Sequence, residues 1–153
     1  MAEAVQVIPN LDALDALTAA NKYVILDFTA QWCPPCKAIA PLYGKLAAAH
    51  AVDNAIAFGK VDVDDAADVA KKFSISAMPT FMFLVDGEPA GIDVGGAAGP
   101  LAGRQTVVRA EGTGPEGPLV AIRGADPASL THAIKKVAEL AAAAKPEEAG
   151  ESA

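Results

Sequence analysis

Both cysteines of this 153-residue chain lie in one short stretch, DFTAQWCPPCKAIAP (Asp27 to Pro41), with two prolines and nothing else between them. The run before them, YVILDFTA, is almost continuously apolar, the mark of a strand covered on both faces. The residues after them take helical spacing from about Pro35, so the pair stands at a strand-to-helix junction. Cys33 and Cys36, at i and i+3, fall on one side of the first helical turn, within disulfide reach. The dipole and unpaired N–H groups of a helix N-terminus favour a thiolate at Cys33, and the thiolate is the nucleophile. Cys36, one turn deeper, is placed to resolve a mixed disulfide. Metal binding is the rival chemistry. Zinc takes about four ligands, and His50 and His132 would have to complete the set. Neither lies at a finger-like spacing, so no metal is expected and both histidines read as ordinary helix residues.

Four further features bear on the thiols. Asp27 interrupts the apolar strand six residues before Cys33, where a carboxylate is costly to desolvate. Burial should raise its pKa and allow proton exchange near neutrality, unless a nearby donor caps it in a purely structural role. Lys60, in FGKVDVD, lies near the end of the next strand and is either its partner or a surface lysine. Met78–Pro79 directly precedes another strand, a position where proline is allowed. Pro34 and Pro35 occupy the first helical turn, where N–H groups lack partners anyway, so they break no helical bond. They push Cys33 and Pro34 toward extended geometry, which puts the helix start at Pro35. Neither can donate to a Cys33 thiolate, and the Cys36 N–H is left as the nearest early donor.

The elements that must position these residues follow from periodicity. Strands are expected at Val5–Ile8, 23–30, 55–64, Thr80–Val85 and 118–124. Asn10 is a good N-cap for the helix LDALDALTAA, and DAADVAKKF and ADPASLTHAIKKVAELAAAA read as further amphipathic helices. The result is an α/β class chain with a mixed sheet of about five strands and helices on both faces. Its length supports one domain, residues 1–145, with 146–153 as a flexible acidic tail. Residues 87–118 form a Gly/Pro-rich anomaly that holds 9 of the 13 glycines and one strand-like run, Thr106–Ala110. This segment reads as a flexible surface excursion between the last two strands.

Net charge is −7, the pI is near 4.7, and no basic run exceeds a pair of lysines. A nucleic-acid or anionic-membrane partner is therefore not expected. No apolar run approaches a membrane span. The N-terminal MAEAVQVIPNLDAL lacks the basic start and apolar core of a secretory signal, and the Arg and Ser of a transit peptide. The cytoplasm is the expected compartment, where two cysteines are catalytic rather than a staple.

In combination, DFTAQWCPPCKAIAP, KVDVDDAADVAKKFSISAMPTFMFLVDG and RGADPASL resemble the thioredoxin family, in the family's order, over about residues 3–86 and 119–144. Thr29 and Met78–Pro79 look more like the cytosolic thioredoxins of eukaryotes than the bacterial ones. The resemblance implies a thioredoxin fold and a protein-disulfide reductase active in cell redox homeostasis. Cys33 would attack, Cys36 resolve and Asp27 transfer the proton, with Lys60 paired to it and Pro79 cis beside a Cys33–Cys36 disulfide. Trp32, Pro34, Pro35, Met78, Gly124 and Ala125 would line the substrate groove, and Pro41 would kink the active-site helix. No cofactor would be bound; electrons would come from NADPH through thioredoxin reductase. The partners would be that reductase and disulfide-containing target proteins, and the chain would act as a monomer.

Two departures stand out. Pro34 replaces the glycine of the common Trp-Cys-Gly-Pro-Cys motif, and residues 87–118 separate two strands that form a short hairpin in family members. A five-residue strand spans roughly 17 Å, so this insertion leaves from the pole opposite Pro79 and Gly124, away from the chemistry unless it folds back. The alternatives are a redox-competent scaffold or holdase acting through the inserted loop, a dedicated exported-type thiol reductase, and a glutaredoxin-like activity.

Overall fold

The computed structural model describes residues 4–89, 91–96 and 99–152, from 144 onward by backbone alone. Six strands form one mixed sheet: β1 (Val5–Val7), β2 (Tyr23–Thr29), β3 (Ile56–Asp62), β4 (Thr80–Val85), β5 (Val107–Arg109) and β6 (Leu119–Arg123). Their order across the sheet is β1-β3-β2-β4-β6-β5. β1, β3 and β2 run parallel, whereas β4, β6 and β5 pair antiparallel. Among the described residues four α-helices, α1 (Leu11–Ala20), α2 (Pro34–His50), α3 (Ala67–Lys72) and α4 (Pro127–Ser152), and a short 3-10 turn at Gly114–Glu116 accompany the sheet.

β2 explains why the sheet is central. All seven of its residues are buried, as its unbroken apolar run requires of a strand with helices on both sides. Alternate residues feed two separate cores. Ile25, Phe58, Phe81 and Ile122 point to the α2 and α4 side, with Ile39, Leu46, Leu130 and Ile134. Leu26, Phe28, Met82 and Ala121 point to the α1 and α3 side, with Leu14, Leu17 and Val69. The Asn10 side chain caps α1 by accepting the Ala13 N–H at 2.9 Å, so that signal holds as read.

Two boundaries differ from expectation. α2 begins at Pro34, with Cys33 as its extended N-cap and both prolines in the first turn; the missing donors are among those a helix leaves unbonded. α4 runs past Ala144, the expected helix end, so the backbone of residues anticipated as a tail continues it. The side chains of that stretch lie outside the described residues.

Residues 87–118 differ most. The segment departs through a tight turn at Asp86–Gly87, both at positive φ, with Val85 paired to Glu88, the geometry that favours Asp-Gly. Ile92, Val94 and Leu101 are then 1–3 % exposed, packed into the α2–α4 core. The chain reaches the opposite pole at Arg104–Thr106 and turns back as β5, the sixth strand, paired to β6. Arg109 staples the return by donating to the Gly117 carbonyl at 2.7 Å. The segment is thus a packed edge of the sheet, and it does fold back to the pole that holds the cysteines. Three isolated apolar residues among nine glycines carry no period, and for that reason the composition read as a surface excursion.

Candidate active site

The strand order decides what lies along the pole that carries Cys33. From one side to the other come the end of β3 (Asp62 to Asp65), the end of β2 (Cys33), the start of β4 (Met78–Pro79), the end of β6 (Gly124) and the start of β5 (Arg104–Thr106). Cys33 and Cys36 are joined by a disulfide, their Cα atoms 5.3 Å apart. Both are buried, packed with Ala30, Val63 and Met78, while Trp32, Pro34 and Pro35 beside them are exposed. The Cys36 N–H donates to Cys33 Sγ at 3.3 Å. This is the one backbone donor that the double proline leaves in the first turn, as its chemistry dictates. The Met78 carbonyl oxygen lies 3.7 Å from Cys33 Sγ on the other side. The Met78–Pro79 bond is cis.

Gly124 meets this loop directly, its N–H donating to the Pro79 carbonyl at 2.8 Å. Its φ of +122° is backbone that side chains rarely adopt, which explains a glycine there. Trp32 is 65 % exposed yet held in place, because its indole N–H donates to Asp64 Oδ2 at 3.0 Å. The spacing of the sequence offers no signal for that anchor.

Asp27 is 4 % exposed and sits behind the disulfide. Its Oδ1 has no hydrogen-bond partner among the described residues. Burial pushes its carboxyl up to about 7, against the pull of the Lys60 charge. Lys60 is the register partner of Asp27 across β2 and β3 but remains exposed. Among the described residues no direct ion pair joins Lys60 to Asp27, so Lys60 acts on Asp27 through space. An open cavity of about 570 Å³ brings Asp27, Cys36, Lys60, Thr29, Lys37 and Tyr43 together.

Tyr43 joins this region without any signal in the sequence spacing of the site. Its hydroxyl lies 2.8 Å from the Gly59 carbonyl and 3.0 Å from the Ile25 carbonyl, where one proton serves both. Burial, and next the Asp27 charge, push its phenol well up, with the Gly59 hydrogen bond pulling the other way. The spacing Ile39, Tyr43, Leu46 marks an inward helical face; that the hydroxyl closes on two strand carbonyls appears only in three dimensions. Among the described residues no group of three or more His, Cys, Asp or Glu could hold a metal ion, and His50 and His132 do not join the cysteines.

A buried cysteine pair at a helix N-terminus, with a buried carboxyl behind it and a mixed sheet beneath, defines a thiol–disulfide oxidoreductase of the thioredoxin fold. The Thioredoxin family model matches residues 6–102, and the chain belongs to the thioredoxin family. A thioredoxin-like protein of Fusarium culmorum is 39% identical over 130 residues, covering 85% of this chain and 88% of that one. Thioredoxin H4 of Arabidopsis thaliana is 51% identical over 75 residues, covering 49% of this chain and 61% of that one. Among solved structures, the thioredoxin of Malassezia sympodialis superposes with a TM-score of 0.62 at 30% identity, covering 90% and 93% of the two chains. The chemistry of the family is dithiol–disulfide exchange on disulfide-containing proteins, without a bound cofactor. No helix among the described residues is long and apolar enough to cross a membrane.

Proposed function

We propose that this chain is a general protein-disulfide reductase in which Cys33 attacks, Cys36 resolves and Asp27 handles the proton. The observation that carries this reading is the cavity shared by Asp27 and Cys36, behind a Cys33 that faces the Met78 carbonyl. In the dithiol form the Cys33 thiolate attacks one sulfur of a target disulfide. A mixed disulfide forms and the other target sulfur leaves as a thiolate. Asp27, whose pKa near 7 suits proton exchange at neutral pH, accepts the Cys36 proton through water in the cavity. The Cys36 thiolate then attacks Cys33 Sγ, closes the Cys33–Cys36 disulfide and releases the target as a dithiol. Lys60 lowers the cost of the charge that Asp27 carries before it takes that proton. Trp32, Pro34, Pro35, Met78, Pro79, Gly124 and Ala125 supply the surface on which the target lies, its backbone pairing beside Met78 like an added strand.

The oxidised chain needs two electrons to return to the dithiol, and NADPH through a thioredoxin reductase is the source we assign. The expected setting is the cytoplasm, with the chain acting as a monomer and residues 87–118 inserted into a single domain. Insulin reduction coupled to NADPH and thioredoxin reductase tests the reading. Sustained NADPH oxidation that is lost in Cys33→Ser and Cys36→Ser is expected; no turnover with both thiols free would refute it.

A further inference from the structure

Arg104 and Thr106, at the start of β5, belong to the segment that the reductase mechanism leaves unused. They are held at the active-site pole by a single carboxylate. Asp126 accepts from Arg104 Nη1 at 3.1 Å and from the Thr106 hydroxyl at 2.6 Å. The same carboxylate caps α4, accepting the Ser129 N–H at 3.1 Å and the Ser129 hydroxyl at 2.6 Å. The Arg123 N–H donates to the Thr106 carbonyl at 2.7 Å, which closes the junction with β6. A methyl group added at Gly124 would meet Thr106 Cγ2 at 3.5 Å. Step by step across the pole, Cys33 touches Met78, Pro79 bonds Gly124, and Gly124 lies against Thr106. Strands stand about 4.8 Å apart, so β5 begins roughly 10 Å from the start of β4, within reach of a polypeptide lying on the groove.

The charges at the two ends of this pole have opposite sign. Beyond Cys33 on the β3 side stand Asp62, Asp64 and Asp65, with Asp64 anchoring Trp32; the nearby cations are exposed Lys60, two residues before Asp62, and exposed Lys37 on the first turn of α2. Beyond Gly124 stand Arg104 and Arg123, with Asp126 as the opposing charge. Arg104 keeps 42% of its side chain exposed while Asp126 keeps 11%, so solvent meets the Arg104 side chain more than that of Asp126. Arg123, one residue before Gly124, is also exposed. A chain of net charge −7 thus presents a local cationic edge at one end of its groove and an acidic edge at the other.

We propose that Arg104 and Arg123, with Thr106 as the spacer against Gly124, form a cationic subsite that extends the target groove and takes the carboxylate-bearing flank of a disulfide-containing polypeptide. The opposite flank of such a target would be basic, facing the β3 aspartates. The proposal rests on the disulfide-reductase reading and specifies which targets that activity prefers. Asp126 is the positioning residue: it fixes Arg104 and Thr106 against the domain without touching the target.

The test uses two isomeric peptides, each closed by one disulfide. One carries glutamates before the first cysteine and lysines after the second, and the other has the reverse. Their equal composition and net charge cancel the long-range effect of the acidic chain. The full-length protein should reduce one isomer with a kcat/KM about fivefold above the other at low salt, on the scale of exposed ion pairs. That ratio should shrink toward one at high salt. Arg104→Gln combined with Arg123→Gln should lower the ratio, and Arg104→Lys should retain most of it. A structural role alone would lower both isomers together and leave the ratio unmoved. Equal reduction of the two isomers by the unaltered protein, or a ratio indifferent to salt or to loss of both arginines, would overturn the subsite while the reductase reading stands. Failure to reduce either isomer would count against the reductase reading itself.

Discussion

Asp27 and Asp126 carry the same side chain, and this fold drives them in opposite directions, to about 7 and about 2. Burial raises both. At Asp27 it meets little opposition, because Oδ1 has no donor among the described residues and Lys60 acts only through space. At Asp126 the hydrogen bonds from the Ser129 and Thr106 hydroxyls and the Ser129 N–H outweigh it, helped by the Arg104 charge. A carboxylate surrounded by donors is a fastener; one buried without them is a proton store. The Asp126 region holds residues 87–118 and α4 to the pole, and the Asp27 region keeps a carboxyl raised to about 7 in a cavity with Cys36.

The sharpest way to break this comparison is Asp27→Asn. Between pH 4 and pH 7 the folded chain binds a proton at Asp27 that the unfolded chain has released, so stability falls as pH rises through that window. The isosteric amide removes the cost. It should stabilise the protein by about 4 kcal/mol above neutrality, with the gain vanishing below about pH 4. Denaturant unfolding at the two ends of the window measures it, and a gain independent of pH would contradict the assignment. The same variant should slow release of the target from the mixed disulfide, on the order of 10²-fold, as followed by single-turnover exchange.

Asp126→Ala probes the other side. Here the folded pKa lies below the unfolded one, so the contribution is present above about pH 4 and is lost as pH falls toward 2. A loss of about 1–2 kcal/mol at neutral pH, shrinking on acidification, is expected from the cap and its hydrogen bonds. Urea unfolding against pH reads it. Tyr43→Phe should cost about 1 kcal/mol at all pH values below the tyrosine range, because it leaves the Ile25 and Gly59 carbonyls short of a donor without changing the packing. The smallest effect concerns the thiolate. Pro34→Gly adds an N–H in the first turn, where the Cys36 N–H now serves Cys33 Sγ, so it should lower the Cys33 pKa or leave it unchanged. Thiolate absorbance titration of the reduced protein checks this; a clear rise would contradict it.

Much of the site was legible along the chain because its logic is local. The Cys-Pro-Pro-Cys spacing, the helix N-terminus it opens and the apolar strand before it lie within one short stretch, and Asn10 caps α1 by contacts three residues away. An aspartate inside an apolar strand announces its own burial penalty, and Asp27 pays it as expected. The residues that the sequence left unread act at long range. Trp32 finds Asp64, Tyr43 finds Ile25 and Gly59, and Arg104 finds Asp126 across turns that no periodicity encodes.

The amino-acid sequence by itself determined the α/β class, the reacting sulfurs, and the carboxyl behind them, because strand burial and helix-end chemistry depend on neighbours in the chain. Only the tertiary structure decided that residues 87–118 bury Ile92, Val94 and Leu101, add a sixth strand and return to the pole of Cys33. Those contacts draw their stability from burial against α2, α4 and β6, surfaces that do not exist until the sheet has formed. The same assembly decided the charge pattern of that pole, because strand order, and not chain order, sets β3 aspartates toward one end and Arg104 and Arg123 toward the other.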